Sequence, residues 1–355
     1  MRPQSLTFLR RLLDTPGPSG FEAPPARIWR EEAELLADEV RIDNSGNSIA
    51  VLGPDRSPRV MLAGHIDEIG LMIVHVDDEG FLSFSTIGGW DPQVLVGQRV
   101  RILSKKGPVD GVIGKRAIHL IKSEERDRAT KVTDLWIDIG ARKKRDAAAR
   151  VRVGDPGVLA ADALELPGGR MAARSIDNRI GAFVVLEALR LLRRRAPKAG
   201  CYAVATTQEE IAWTGGGAKT SAVSIDPTVA FVIDVTHATD HPQVDKKQHG
   251  DVVLGGGPVL SRGSAVNPIV FELLVETAER ERIPYQLHAA PRDTGTDADA
   301  IYTAQRGIPT GLVSVPNRYM HSPNEMVDLK DLDRTARLLA AVTRRVTGAT
   351  DFTPR

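Results

Sequence analysis

Apolar segments alternate with helical patterns over the second half of the chain, and this alternation is the feature that most limits its fold. Strands that alternate with helices predict an α/β domain in which a mixed sheet is covered by helices. The apolar runs, typical of buried strands, are residues 201–206, 229–235 and 310–315. The segments with helical periodicity are residues 178–195, 267–282 and 331–346.

The first 68 residues show the same mixture of elements. Residues 5–14 and 24–38 have helical patterns, and the second begins after two prolines. Residues 40–52 are typical of a hairpin, because turn-forming residues separate two short strand patterns. An apolar strand at 60–64 then leads into His65. These elements are predicted to join the α/β domain.

Residues 69–165 have a different character. Short β-type runs are separated by glycine- and proline-containing turns, with one helix predicted around 142–150. Residues 121–131 are polar and predict a loop. The chain therefore divides into residues 1–68, a small β-rich domain at 69–165, and residues 166–355.

Composition limits the partners and the compartment. The chain has 47 basic and 46 acidic residues and a formal charge of +1, which gives no electrostatic reason to expect nucleic-acid binding. Its single cysteine, Cys201, excludes an intrachain disulfide and an all-thiolate metal site. The first residues are too polar for a signal peptide, and no run of about 18 apolar residues predicts a membrane span. We therefore expect a cytoplasmic protein without a membrane partner.

Side chains that bind metals stand where predicted strands end or where a helix begins. In open α/β sheets, ligands bind outside the strand ends, so these side chains can converge. Imidazoles and carboxylates without thiols suit zinc, cobalt or manganese. The residues are His65 and Asp67, Asp177, Glu209 and Glu210, Asp234, and His321.

Each of these five places also has an ordinary structural interpretation. The first pair can be a histidine–carboxylate interaction within the core. Asp177 can cap the helix that follows it, Glu209 and Glu210 can be solvated loop charges, and His321 can be an ordinary loop histidine. Asp234 is harder to explain in this way, because a carboxylate that ends a buried strand needs a partner. The coincidence of five places favours a metal site, although spacing alone does not establish one.

A series of sequence blocks resembles one protein family. The chain is similar to the glutamyl-aminopeptidase or TET family of dinuclear metallo-aminopeptidases, named after hollow tetrahedral particles. Many short blocks in one order are far more specific than a single His-x-Asp motif. The blocks are 63–73 (AGHIDEIGLMI), 135–155, 175–189 (SIDNRIGAFVVLEAL), 206–211 (TTQEEI), 232–238 (VIDVTHA), 294–323 and 325–332.

The resemblance implies a set of metal ligands. Asp177 would bridge two divalent metal ions. Zinc or cobalt fits these donors best. His65 and Asp234 would complete the protein ligands of one ion, and Glu210 and His321 those of the other. A bridging carboxylate suits this chemistry, because two ions about 3.5–4 Å apart repel each other and share its negative charge.

The resemblance also implies two catalytic roles outside the ligand set. Glu209 would be the general base that takes a proton from water and delivers it to the leaving amine. Asp67 would accept the second ring N–H of His65. Adjacent residues on a strand point to opposite faces, so Glu209 and Glu210 can both serve the site only where the strand opens into a loop.

Taken together, the expected protein is an aminopeptidase that removes N-terminal residues from short peptides. The resemblance implies that the β-rich domain is an insertion that drives assembly of a large homo-oligomer, a dodecamer.

Two segments depart from the family pattern. Residues 211–218 are two residues longer than usual, and residues 121–131 align poorly.

Three other functions remain open at this level. Another amide hydrolase on the same core, a carboxypeptidase or an N-deacylase, is the nearest, with Arg292 and Arg318 as candidate carboxylate clamps. A glycoside hydrolase is less favoured, because its carboxyls must flank the bond at about 5–9.5 Å and adjacent glutamates do not suit this. A binding protein with a relict site is the third.

Overall fold

The computed structural model describes residues 1–123, 126–211 and 215–355. The chain forms a mixed α/β unit and a smaller closed barrel, and both contain helices. The helices are α1 (Pro3–Asp14), α2 (Ala23–Ala33), α3 (Pro92–Leu95), α4 (Lys144–Ala148), α5 (Ile176–Arg194), α6 (Gly216–Ile225), α7 (Lys246–His249), α8 (Pro268–Arg280), α9 (Asp297–Ile301) and α10 (Leu329–Arg345). None of the helices in these residues has the length and apolar character that crossing a bilayer requires.

An eight-stranded mixed sheet forms the centre of the α/β unit. Its strands follow the order β1-β2-β12-β3-β13-β16-β14-β15. The strands β12, β3, β13 and β16 are parallel to one another, and their apolar residues are buried. The strands of this sheet are β1 (Glu39–Ile42), β2 (Ser48–Leu52), β3 (Arg59–His65), β12 (Gly200–Thr206), β13 (Val229–His237), β14 (Val259–Gly263), β15 (Gln286–Ala290) and β16 (Thr310–Asn317).

A closed barrel follows β3 in the chain. Its strands follow the order β4-β5-β8-β7-β6-β9 and enclose a core of their own, separate from that of the large sheet. The barrel strands are β4 (Gly70–Val76), β5 (Leu82–Ile87), β6 (Arg99–Ser104), β7 (Gly107–Lys115), β8 (Leu135–Asp138) and β9 (Pro156–Leu159). A three-stranded sheet is formed by β10 (Leu164–Leu166), β11 (Arg170–Ala173) and β17 (Glu325–Asp328).

The predicted fold class, a helix-covered mixed sheet with an inserted β-rich unit, is confirmed by this architecture. One helix is shorter than its sequence pattern predicts. The pattern extends to residue 38, but α2 ends at Ala33. The chain must turn there because the N–H of Asp38 bonds to the carbonyl of Val51, which starts the pairing of β1 with β2.

Two predicted loops coincide with gaps in the described residues. Within 121–131, residues 124–125 lie outside them, and the remainder carries no regular strand or helix beyond short turns. Within 211–218, residues 212–214 lie outside them, and Gly216 begins α6. A close approach requires glycine at 217, because a Cβ there would lie 2.1 Å from Oδ1 of Asn47.

Candidate metal centre

The carboxyl ends of the central parallel strands bring the first two site residues together. His65 is the last residue of β3 and is paired in register with Thr206, the last residue of β12. Asp234 lies on β13, which runs parallel to β3 on its other side. Because parallel strands end at the same edge of a sheet, both side chains lie at that edge.

Asp177 lies where β11 leads into α5. Its backbone is not helical, with φ −77° and ψ 107°, and the peptide bond to Asn178 is cis. The buried Asn178 side chain donates a hydrogen bond of 2.7 Å to the carbonyl of Ile233. The start of α5 is therefore fixed to the strand residue next to Asp234.

Glu209 and Glu210 follow β12 after the chain has left the sheet. Gln208 has a φ of +60°, and Glu209–Ile211 form a single turn of 3₁₀ helix. The carboxylate of Asp67 accepts the N–H groups of Glu209 at 3.2 Å and of Glu210 at 3.1 Å. This loop lets two adjacent side chains face one site, which a regular strand does not permit.

His321 lies in a loop that follows β16. The loop is closed by reciprocal backbone hydrogen bonds between Arg318 and Met326, and His321 itself has a φ of +58°. A left-handed conformation costs a residue other than glycine roughly 1–2 kcal/mol, so the surrounding contacts must stabilise it. The barrel reaches this loop, because a Cβ on Gly89 would lie 3.3 Å from Nδ1 of His321.

Six of the predicted site residues form one group, which we call the ligand cluster: His65, Asp177, Glu209, Glu210, Asp234 and His321. Nε2 of His65 lies 3.2 Å from Oδ1 of Asp177, 3.6 Å from Oε2 of Glu209 and 4.0 Å from Oδ1 of Asp234. Nε2 of His321 lies 3.5 Å from Oδ2 of Asp177 and 3.4 Å from Oε2 of Glu210. Each oxygen of Asp177 thus faces a different histidine.

The electrostatics of the ligand cluster favour the binding of positively charged groups. Burial raises the pKa of Glu209 well above its ordinary value. Burial and the neighbouring Asp177 raise the pKa of Glu210 to about 7. Burial opposes the charged form of His321, yet its contacts with Asp177 and Glu210 raise its pKa to about 11. Carboxylates that repel one another in a buried space are stabilised by cations.

The donor set fits divalent metal ions. Two groups, His65–Asp177–Glu210 and His65–Glu209–Asp234, each offer ligand atoms within 4.8 Å of one another. Oε1 of Glu210 is buried and has no hydrogen-bond partner among the described residues. An unpaired buried carboxylate oxygen is unfavourable unless a cation or a donor completes its surroundings. Imidazole and carboxylate donors suit zinc and cobalt.

Asp67 lies behind His65, but its contacts differ from the expected ones. Nδ1 of His65 is 3.4 Å from Oδ1 of Asp67, and Nδ1 has no hydrogen-bond partner among the described residues. Asp67 instead accepts hydrogen bonds from Ser19 and from the two backbone N–H groups of Glu209 and Glu210. Its principal contacts therefore hold the loop that carries the two glutamates.

A cavity of about 880 Å³ opens over the ligand cluster. Lys219 is the one lysine or arginine among the described residues that line it. Arg318, a candidate carboxylate clamp, is paired with Asp240 through an Nε–Oδ1 bond of 2.8 Å and does not line the cavity. Arg292 is exposed and also lies outside the lining.

Sequence reasoning assigned no role to two buried carboxylates near the cluster. Asp297, at the start of α9, accepts a 2.5 Å hydrogen bond from Oγ1 of Thr206, and burial raises its pKa to about 6. Glu325, at the start of β17, accepts backbone hydrogen bonds from Asp177 and His321. Both residues lie inside sequence blocks that resemble the family, but an acidic residue after Thr296 is also typical of a helix start, which conceals Asp297.

Comparison with known proteins places this arrangement among the peptidases. Residues 46–338 match the M42 glutamyl aminopeptidase family, and the chain belongs to that family. It is therefore an aminopeptidase, a hydrolase of peptide bonds, and the resemblance seen in the sequence is confirmed.

Relatives match over nearly the whole chain. A lysyl aminopeptidase from Pyrococcus furiosus is 36% identical over 353 residues, which cover 98% of this chain and 99% of that protein. The TET aminopeptidase of Thaumarchaeota archaeon SCGC AB-539-E09 has a TM-score of 0.92 at 34% identity, covering 97% of this chain and 96% of that one. The TET1 peptidase of Pyrococcus horikoshii, which can assemble into a tetrahedron or a large octahedral shell, has a TM-score of 0.85 at 31% identity, covering 96% of this chain and 100% of that one.

Proposed function

We propose that this aminopeptidase hydrolyses short peptides with two divalent ions held by the ligand cluster. His65, Asp177 and Asp234 would hold one ion, and Asp177, Glu210 and His321 would hold the other. The observation that carries this proposal is the placement of Asp177, whose two oxygens face different histidines at 3.2 and 3.5 Å. Zinc or cobalt fits these donors.

Glu209 acts as the general base in this proposal. Two divalent ions in such a site polarise a carbonyl and lower the pKa of a water. Oε2 of Glu209 lies beside Nε2 of His65 at 3.6 Å, and Glu209 lines the cavity, so its carboxylate faces the space a peptide occupies. It takes the proton of the attacking water and delivers it to the amine that leaves.

The charges of the cavity favour a substrate with a free amine. Glu209, Asp297 and Asp299 line the cavity together with a single described lysine, Lys219. A free α-amine is recognised by acidic groups, whereas a carboxypeptidase needs a cation for the α-carboxylate. Arg318 is already paired with Asp240 and is not available for that purpose.

We further propose that residues 69–165 act as an inserted assembly domain between 1–68 and 166–355, and that the chain forms a dodecamer. Apolar side chains of this region are exposed to solvent, among them Ile118, Leu120 and Val153. Ile118 and Leu120 lie close together in the chain, and apolar groups that form a contiguous exposed patch mark interaction sites. The similar TET1 peptidase, which can assemble into a tetrahedron or a large octahedral shell, supports a large homo-oligomer.

Glu209→Gln tests the catalytic proposal. The substitution keeps the size of the side chain but removes its basicity, so kcat should fall by about 10²–10⁴-fold while metal content and particle size stay unchanged. Glu165→Gln, at an exposed glutamate paired with Arg10, is the matched control and should retain full activity. Retained activity in the Glu209 variant would remove this residue from its role.

Paired substrates test the specificity. Peptides with a free amine should be cleaved, and the same peptides with an acetylated amine should not. The reverse preference would identify an N-deacylase, cleavage of both peptides from the carboxyl end would identify a carboxypeptidase, and activity on glucans after chelation would identify a glycoside hydrolase.

The assembly proposal has its own test. Leu120→Lys should lower the particle mass measured by light scattering, because Leu120 is 73% exposed in the barrel region. Leu35→Lys, at a leucine that is 74% exposed on the α/β unit, is the matched control. An unchanged mass for both variants would exclude Leu120 from any subunit contact.

A further inference from the structure

Glu325 is a buried carboxylate that touches two residues of the ligand cluster through their backbones. Its Oε2 accepts the N–H of Asp177 at 2.9 Å, and its Oε1 accepts the N–H of His321 at 2.8 Å. The residue is 2% exposed and does not line the cavity. It therefore contacts neither a substrate nor the space in which one binds.

The strand pairing explains how Glu325 reaches both segments. β17 pairs with β11, and this register sets Glu325 opposite Ala173, four residues before Asp177. On the other side, the backbone bonds between Arg318 and Met326 close the loop that carries His321. Glu325 thus stands where two segments that are distant in sequence meet.

The position requires both oxygens of a carboxylate. Each oxygen accepts one N–H, and an amide offers one acceptor and presents an NH₂ group to the other donor. Placing a negative charge beside the acidic side chains of Asp177 and Glu210 is unfavourable for a protein that only needs a stable fold. The arrangement is favourable in a site where cations offset the added charge.

A second carboxylate holds the other half of the cluster in the same way. Asp67 accepts the backbone N–H groups of Glu209 and Glu210 at 3.2 and 3.1 Å. Two carboxylates outside the ligand set therefore hold the backbones of four cluster residues. Residues that orient metal ligands affect metal affinity by about 10–100-fold when they are changed.

We propose that Glu325 is a positioning residue that fixes Asp177 relative to His321, and thereby sets the affinity of the ligand set to which His321 belongs. The inference rests on the proposed two-ion function. It assigns Glu325 no contact with the substrate and no proton transfer. Its effect is exerted through the two backbone N–H groups.

Glu325→Gln in the full-length, assembled protein tests this role. Calorimetric titration of the metal-free protein with Zn²⁺ should show one of two affinities lowered by about 10–100-fold, and the other, whose ligand set shares only Asp177, lowered less. The visible spectrum of the cobalt-loaded protein should change as well, because the spectrum reports the geometry of the ligands. Glu325→Asp keeps the charge but shortens the side chain, and should give an intermediate loss.

Asp331→Asn is the matched control. Asp331 is 0% exposed and accepts two backbone N–H groups, those of Gly255 at 2.7 Å and Gly257 at 2.8 Å, in a loop that does not line the cavity. This variant should lower the melting temperature as the Glu325 variants do, but leave both metal affinities and the cobalt spectrum unchanged.

The outcomes separate this inference from the proposed function. Wild-type protein that binds fewer than two ions would overturn the two-ion function and this inference with it. A different result would overturn the positioning role alone. In that case the wild-type protein binds two ions, and a folded Glu325→Gln or Glu325→Asp variant binds them with the same affinities as the wild type.

Discussion

The two histidines of the ligand cluster occupy very different surroundings. The side chain of His65 is 1% exposed and ends a strand in the middle of the large sheet. The side chain of His321 is 35% exposed and lies in a loop with a left-handed backbone. We call these the His65 side, which includes Glu209 and Asp234, and the His321 side, which includes Glu210.

The difference shows two ways of holding a proposed metal ligand. For His65 and Asp234 on the His65 side, the hydrogen bonds of parallel strands hold the backbone, so the positions of these two side chains follow from the fold itself. On the His321 side, the loop is held by Glu325 and approached by Gly89 of the barrel. We therefore expect the His65 side to bind its ion more tightly, and the His321 side to be more easily altered.

Removing the metal should have the largest effect. Loss of several kcal/mol of charge stabilisation corresponds to a rate decrease of at least about 10³-fold, so chelation should abolish peptidase activity. When Zn²⁺ is added back in steps, the first equivalent should bind to the His65 side with little activity, and the second should restore it. Full activity at one equivalent per subunit would contradict the division into two sides.

Replacing each histidine should separate the two sides directly. His321→Ala should retain about one ion per subunit after desalting. His65→Ala should lose the more tightly bound ion, because the affinity for that ion should fall by at least about tenfold. Elemental analysis measures both. His119→Ala, at an exposed histidine of the barrel region, is the control and should keep two ions. Equal losses in the two cluster variants would show that both sides bind with similar strength.

The sequence predicts the His65 side better than the His321 side, for a physical reason. Apolar runs identify β3, β12 and β13, and parallel strands bring their carboxyl ends to one edge, so His65 and Asp234 are expected to meet. His321 is recognised only through the family resemblance, because loop residues carry no periodicity. All residues of the ligand cluster lie in the sequence motifs, but the motifs do not show which residues hold them in place through hydrogen bonds.

What the sequence does not predict depends on contacts between distant segments. The hydrogen bond from Asp177 to Glu325 joins residues 148 positions apart, and nothing local to Glu325 distinguishes it from an ordinary strand acid. The contact of Gly89 with His321 joins the barrel to the α/β unit in the same way. The hydrogen bonds that Asp67 accepts from the Glu209–Glu210 backbone also require the folded loop.

Gly89→Ala should alter the His321 side to a smaller extent. Gly89 has no left-handed backbone, so alanine is tolerated there, but its Cβ would lie 3.3 Å from Nδ1 of His321 and force the ring to shift by a few tenths of an ångström. We expect a decrease of about three- to tenfold in the weaker Zn²⁺ affinity, measured calorimetrically. Gly348→Ala, which meets no atom within 4 Å, should change neither affinity. A change in the tighter Zn²⁺ affinity would show that Gly89 acts on the His65 side, which would contradict this prediction.

Trp90→Phe should have the smallest effect and tests whether the barrel acts through this one loop. Nε1 of Trp90 donates a 3.0 Å hydrogen bond to the carbonyl of Gly70, which fixes the segment next to Gly89. Losing this bond should lower the free energy of unfolding by about 1 kcal/mol and the weaker Zn²⁺ affinity by less than about threefold. Trp136→Phe, which makes the same change on β8 of the barrel, should leave the affinity unaltered. If both variants lower the affinity equally, the barrel influences the His321 side through its general stability rather than through the Gly89 contact.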